Sequence, residues 1–448
     1  MRAIFVTSLG AACAVALALP LALPAGAAAA RPAPSSPPDR AVPGTTRSLP
    51  VERLGAAAGN TSDRAAAAAG LRGLSARKVQ PFSLLGVVWD DGRAELRGQV
   101  QVRTRTTGTD IWSGWQEVQA HNDDAPDLDA AERRGSRARG STAPLWVGDS
   151  DAVQLRITPE TVDRAPATLP GGLRLELVDP GDEPETARGV HAGPPAPLAP
   201  ATPEAAASSA VNAQLAPLGA TEIPALDKAA SRNDVNAADG SPAGAHPYIG
   251  PRPRMVTRAG WGADESLREK AFAYTSTVRA AFVHHSASGN NYTCAQAPSV
   301  LRAIYRYHVK TSGWRDMGYN FLVDKCGTIY EGRAGGVAKP VMGAHTLGFN
   351  HDSMGVAVLG TFTTIEPPQP AVDAIAALTA WKLGLYGADP QDIARLKSSG
   401  GNRFKKGVEA KLHVISGHRD GFNTQCPGDR LYDKLGATRI AAAQLQGR

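Results

Sequence analysis

Between residues 82 and 178, apolar and polar positions alternate in short runs. These are Phe82-Ser-Leu-Leu-Gly-Val-Val-Trp-Asp, Ala94-Glu-Leu-Arg-Gly-Gln-Val-Gln-Val-Arg-Thr-Arg, Trp112-Ser-Gly-Trp-Gln-Glu-Val, Ala152-Val-Gln-Leu-Arg-Ile and Leu173-Arg-Leu-Glu-Leu-Val. A period of two is that of half-buried strands. Gly, Asp and Pro between the runs predict an all-β, sandwich-like domain over residues 78–180. The charged, Ala/Gly-rich stretch 120–141 interrupts the pattern and reads as a long loop.

Farther along the chain the patterns are mixed. Val278 to His284 is a strand ending in two histidines, while Ala297, Leu301, Ile304, Tyr305 and His308 fall at helical spacing. Tyr319-Asn-Phe-Leu-Val and Ile329-Tyr-Glu flank a short Gly-containing turn, so they are expected to pair antiparallel. Met354-Gly-Val-Ala-Val-Leu-Gly is apolar enough for a central strand, and Pro370 to Tyr386 reads as a helix with Pro at its start and Gly387 at its end. Residues 253–442 therefore predict a mixed β-sheet flanked by helices, an α/β unit that follows the β domain.

Composition sets the boundaries. At 448 residues the chain is too long for one core. Residues 1–30 combine Arg2, an apolar run and an Ala-rich end, the layout of a secretory signal peptide; a membrane anchor is the alternative. Residues 31–77, rich in Ala, Pro, Arg and Ser, read as a disordered leader, and the Pro/Ala-rich residues 181–252 as a disordered linker. Trp89, Trp112, Trp115 and Trp146 raise the possibility of stacking on sugars, but burial in the core is the plainer reading. The net charge of +6 is a modest basic bias, compatible with anionic wall polymers.

Beyond Cys13 in the signal segment, the cysteines are Cys294, Cys326 and Cys426. In an exported protein, two of three would pair and the third would be free or bound to something. Hydrolytic zinc sites use three protein ligands from His, Cys and carboxylates and keep a fourth position for water. His284-His285 ends one strand, and Gly417-His418-Arg-Asp-Gly-Phe-Asn-Thr-Gln-Cys426 places a His and a Cys eight residues apart. Each alone has a bland reading as a core histidine or a disulfide partner.

Taken together, ordered blocks carry a resemblance: Arg258-Ala-Gly-Trp261, His284-His-Ser-Ala, Tyr307-His308, Trp314-Arg-Asp-Met-Gly-Tyr-Asn-Phe321, Ile329-Tyr-Glu-Gly-Arg333, Gly343-Ala-His345, Asn350, Gly417-His418-Arg-Asp and Thr424-Gln-Cys426-Pro-Gly. The C-terminal unit resembles the peptidoglycan recognition proteins, which are related to the phage-lysozyme type of zinc N-acetylmuramoyl-L-alanine amidase. The resemblance covers about 190 residues and says nothing of residues 31–250. It implies zinc ligands at His284, His418 and Cys426, a catalytic tyrosine at Tyr319, and muramyl-peptide contacts at His308, His345 and Asn350. Thr424 stands where the phage enzymes have lysine and recognition proteins often have threonine, so its catalytic assignment departs from the enzyme pattern.

With Cys426 taken as a zinc thiolate, Cys294 and Cys326 are left to pair with each other. The implied activity is zinc-dependent hydrolysis of the lactyl–L-alanine amide of peptidoglycan by a secreted, wall-associated enzyme. Its rival is a non-catalytic peptidoglycan-binding protein, because many recognition proteins lack the zinc cysteine and only bind muramyl peptides. A wall-anchoring protein with a vestigial amidase unit is a third reading. Nothing in the sequence points to nucleic acid.

Overall fold

The computed structural model describes residues 43–54, 70–119, 124–134, 138–182, 202–216, 218, 220–240, 242 and 246–448. The expected signal peptide, residues 31–42 and 55–69 of the expected leader, and residues 183–201 of the expected linker lie outside them. No helix among the described residues is long and apolar enough to cross a membrane.

The alternating runs form one antiparallel sheet in the order Pro43–Pro50, Arg174–Gly181, Arg72–Trp89, Leu145–Pro159, Gly98–Thr106, Gln116–Val118. Register shifts along Arg72–Trp89 mark bulges that bend this long strand. Leu85, Val87, Val100, Val102, Leu155 and Leu175 bury one face in a core with Trp89. Trp89 and Trp146 are buried, as core residues should be. Trp112 and Trp115 are half-buried, with the Arg156 guanidinium 4.1 Å over the Trp115 ring.

Two expectations of disorder need correcting. Pro43–Pro50, expected in the leader, is an edge strand paired with Arg174–Gly181. Main-chain pairing at a sheet edge needs little apolar patterning, and prolines at strand ends are tolerated there. Part of the expected linker is also ordered, as the helices Pro203–Ala210 and Lys228–Asp239. Each begins on a side-chain cap: Thr202 Oγ1 accepts from Ala205 N–H at 3.1 Å, and Asp227 Oδ1 from Ala230 N–H at 2.8 Å. Capping offsets the unsatisfied donors of a helix start.

The second sheet runs Glu222–Ile223, Met255–Val256, Ile329–Glu331, Phe321–Val323, Ser353–Val358, Ala280–His285, Ile415–Gly417. Phe321–Val323 and Ile329–Glu331 form the expected antiparallel hairpin, whereas Ala280–His285 lies parallel to both of its neighbours. The helix Gln369–Gly384 contributes Ile375, Leu378 and Trp381 to the core that contains Phe282 and Val356. Cys294 and Cys326 are disulfide-bonded across 32 residues, tying the hairpin turn to the segment before the helix Ala297–Arg306. Closing a loop of this length contributes about 2–4 kcal/mol.

The two sheets are not separate beads. Leu84, Val88, Trp146 and Val178 of the β domain share one buried cluster with Val300, Leu301, Ile304 and Tyr307 of the α/β unit. Tyr307 lies against Gly86, where an added Cβ would stand 2.3 Å from its Oη, and that hydroxyl donates to Thr142 O at 3.1 Å.

At the end of the strand Ile329–Glu331, the Glu331 carboxylate accepts from Asn212 Nδ2 at 2.9 Å and from Arg258 N–H at 3.3 Å. Burial pushes its carboxyl up to about 7, against those hydrogen bonds and the Arg258 charge, which act downward. The folded chain therefore keeps a proton that the unfolded chain has lost. Its stabilisation is complete below about pH 4.5 and is lost as pH rises through about 7, a change of about 3 kcal/mol. Glu331→Gln should remove that decline. The check is the difference in denaturant midpoint between the variant and the native chain from pH 4.5 to 8.

Candidate metal centre

Successive side chains on a strand point to opposite faces, so His284 and His285 cannot serve the same site. His285 turns away, its Nδ1 accepting from Phe362 N–H at 3.2 Å. His284 faces His418, the first residue after the strand Ile415–Gly417, with ring centroids 4.5 Å apart. Cys426 Sγ lies 3.7 Å from His284 Nδ1. Ligand atoms of His284, His418 and Cys426 all fall within 4.8 Å of one another, and all three residues are buried. Cys426 is outside the disulfide.

This donor set fits a divalent metal of the zinc type: two imidazole nitrogens and one sulfur, one atom from each residue. Burial lowers the pKa of His284, opposed by the nearby Asp124 and aided by His418, which favours the neutral imidazole a metal requires. Thr346 Oγ1 lies 3.3 Å from His284 Nε2. In the tautomer protonated on Nε2, Thr346 accepts that N–H and the Nδ1 lone pair is directed at the cluster.

Around the cluster the other predicted residues divide. Tyr319 lies with its ring 5.4 Å from that of His284, and burial, with Asp124 beside it, holds its hydroxyl well above the usual phenol range. It is therefore a protonated donor. His308 accepts Gly318 N–H on Nδ1 at 3.2 Å and stacks on Trp314 at 4.4 Å. Burial takes its pKa down to about 3, so Nε2 carries the proton, and no hydrogen-bond partner takes it among the described residues.

His345 sits edge-on to His284 at 5.4 Å. A Cβ on Gly355 or on Gly343 would stand 2.4 Å from its ring, so these two glycines make its room. Asn350 supports the same segment from below, its Oδ1 accepting from the N–H groups of His345 and Thr346 at 2.7 and 3.1 Å. Thr424 stands apart in the turn before the cysteine, its Oγ1 accepting from Cys426 N–H at 3.2 Å. In this position it shapes the turn.

Two participants were not found from the sequence. Thr346 had a weak signal, a hydroxyl next to His345. Asp124 had none, lying in the charged stretch read as loop, yet its Oδ1 is 3.0 Å from His284 Nδ1 and 3.1 Å from His418 Nδ1.

The fold is an α/β domain whose mixed sheet brings His284 and His418, at the carboxyl ends of parallel strands, together with Cys426 of the following turn as a candidate metal site. Residues 274–429 match the family described as N-acetylmuramoyl-L-alanine amidase, and residues 32–190 the one described as Rv3811 N-terminal galactose-binding domain-like. Peptidoglycan recognition protein 1 of Bos indicus is 30% identical over 179 residues, 40% of this chain and 80% of the relative. Peptidoglycan-recognition protein SC2 of Drosophila simulans is 27% identical over 181 residues, 40% of this chain and 84% of that protein. The human N-acetylmuramoyl-L-alanine amidase is 33% identical over 138 residues, 30% of this chain and 19% of its own length. Among solved structures, wild-type Drosophila PGRP-LB is 26% identical, covering 41% of this chain and 92% of its own, with a TM-score of 0.33. The chain belongs to the peptidoglycan recognition protein family.

Proposed function

We propose that this protein hydrolyses the amide between the lactyl group of N-acetylmuramic acid and L-alanine in peptidoglycan, using one zinc ion held by His284, His418 and Cys426. The observation that carries the reading is the buried thiol of Cys426, kept out of the disulfide and set beside two imidazoles. A chain serving only to bind peptide has no need of that thiol. The relatives named for recognition of peptidoglycan, and the human one named as the amidase, support the substrate class. An exported, wall-associated location goes with that substrate.

When bound, zinc supplies a Lewis acid that polarises a carbonyl and lowers the pKa of a water molecule toward about 7. The chain's own residues do the rest. Thr346 and the buried strand end hold His284 in one tautomer. Tyr319, protonated and next to the donor set, hydrogen-bonds the oxygen that gains charge as the amide carbon becomes tetrahedral. His308 offers a buried Nε2–H to an acceptor on the muramyl peptide.

Tyr319→Phe should lower kcat about 10²-fold, as removal of one oxyanion donor does, while zinc content stays unchanged. Paired turnover and metal analysis of the variant check this. The function itself is tested by release of stem peptide from purified sacculi, lost with chelator and restored by zinc. If neither the native chain nor an Asp124→Ala variant releases peptide when zinc is bound, the reading is wrong.

A further inference from the structure

A hydrolytic metal centre needs one open position besides its three protein ligands, and here a side chain of the β domain lies against the donor set. Asp124 lies in the segment that follows the strand Gln116–Val118 of the β domain and is buried among residues of the α/β unit. Its Oδ1 is within 3.1 Å of both His284 Nδ1 and His418 Nδ1, and its Oδ2 accepts the Tyr319 hydroxyl. The carboxylate therefore engages two of the three metal donors and the proposed oxyanion donor together.

The residues that follow continue along the same face. Ala125 O and Asp127 Oδ1 accept the two N–H bonds of the Asn350 amide at 2.9 and 2.8 Å, and Asp127 Oδ1 also accepts Gly348 N–H at 2.7 Å. Asp129 pairs with Lys406 at 2.8 Å. Glu132 takes both Arg333 amino groups at 3.1 Å and accepts Arg315 N–H at 2.9 Å. Three of these four carboxylates are buried. Burying an ionised carboxylate is costly without close partners. Each of the four takes its partners from the α/β unit, so the unit presents a row of sites for anions. A peptidoglycan stem peptide is an extended chain bearing carboxylates.

We propose that Asp124 takes the open position of the metal centre and that residues 124–132 fill the substrate groove as a stem-peptide mimic, holding the chain latent. This rests on the amidase reading for the identity of the competing ligand. In the closed state the Asp124 carboxylate would join the two imidazoles and the thiolate in holding a metal, and Asn350 and Arg333 are engaged internally. Peptide binding then requires the segment to leave, so apparent affinity falls by the fraction of open molecules.

The test uses the full chain loaded with cobalt(II) as a spectroscopic stand-in, and as the ligand a stem tripeptide beginning at L-alanine, which lacks the scissile lactyl amide, measured by calorimetry. Asp124→Ala should change the visible cobalt spectrum and tighten tripeptide binding at least about tenfold. Glu132→Gln, which touches none of the metal donors, should tighten binding severalfold with the spectrum unchanged. Both variants should unfold cooperatively like the native chain, and because they act at opposite ends of the segment, one remains informative if the other fails to fold. Gains in binding and spectrum without hydrolysis would support the plug while overturning the amidase reading. Unchanged or weaker tripeptide binding in the folded variants, or a cobalt spectrum indifferent to Asp124→Ala, would overturn the plug.

Discussion

Replacing Cys426 with serine is expected to lower stem-peptide release by at least about 10³-fold, more than the 10–100-fold typical of losing a residue that merely supports a ligand. The hydroxyl does not ionise near neutral pH as a metal-bound thiol does, so the site loses both a donor and its negative charge. Zinc content should fall with activity, measured by elemental analysis after dialysis. The substitution is best made in both the native and the Asp124→Ala backgrounds, so that a low native rate does not conceal the effect. Because Cys426 lies outside the Cys294–Cys326 bridge, folding should be largely preserved. A serine variant that keeps its zinc and its rate would refute the ligand assignment.

The largest expected loss of stability comes from Arg258→Ala, at about 3–5 kcal/mol, the usual cost of removing one partner from a buried ion pair. Arg258 is 1% exposed. Its Nε donates to Glu265 at 2.6 Å, its Nη1 lies 3.2 Å from Asp316, and it also donates to Gly332 O. Glu331, already raised by burial, accepts from its main-chain N–H. Without the guanidinium, buried Asp316 loses its ion pair, Glu265 is left with Arg268 alone, and Glu331 loses a nearby opposing charge. Asp316 also accepts the N–H groups of Met317 and Ala334 at 2.7 and 2.9 Å, and so shapes the turn that delivers Tyr319. The loss should therefore appear in the denaturant midpoint and also in turnover at temperatures where the variant is still folded.

The site was legible in the sequence where chemistry and strand geometry coincide. Cys426 stood out as an odd thiol. The choice of His284 over His285 rests on the family resemblance; alternation along a buried strand says only that the two rings part, and in the structure one ring faces His418 while the other accepts Phe362 N–H. The hairpin around Asp324 was legible because its turn is local, with Asp324 Oδ1 accepting from Cys326 and Thr328 N–H at 2.9 Å each. Segments held by main chain or by distant partners were not. Pro43–Pro50 has no apolar stripe and pairs with residues more than 120 positions away. The helices capped by Thr202 and Asp227 lie in Pro- and Ala-rich surroundings that offer no apolar stripe to read. Asp124 is separated by 195 residues from Tyr319, and no local pattern announces a side chain whose partners lie that far along the chain.

The cluster joining Leu84, Val88 and Val178 to the helix Ala297–Arg306 bears on how the protein can be dissected and inherited. A fragment beginning near residue 254 would leave Val300, Ile304 and Tyr307 without their cover, and each large apolar side chain so exposed forfeits about 1.5–3 kcal/mol. Such a fragment is expected to aggregate, so the Asp124 segment is better probed by point substitution than by truncation. The same contact predicts which changes evolve together. A lineage that sheds the β domain must rewrite this helix face in polar residues, and one that enlarges residue 86 must shrink residue 307.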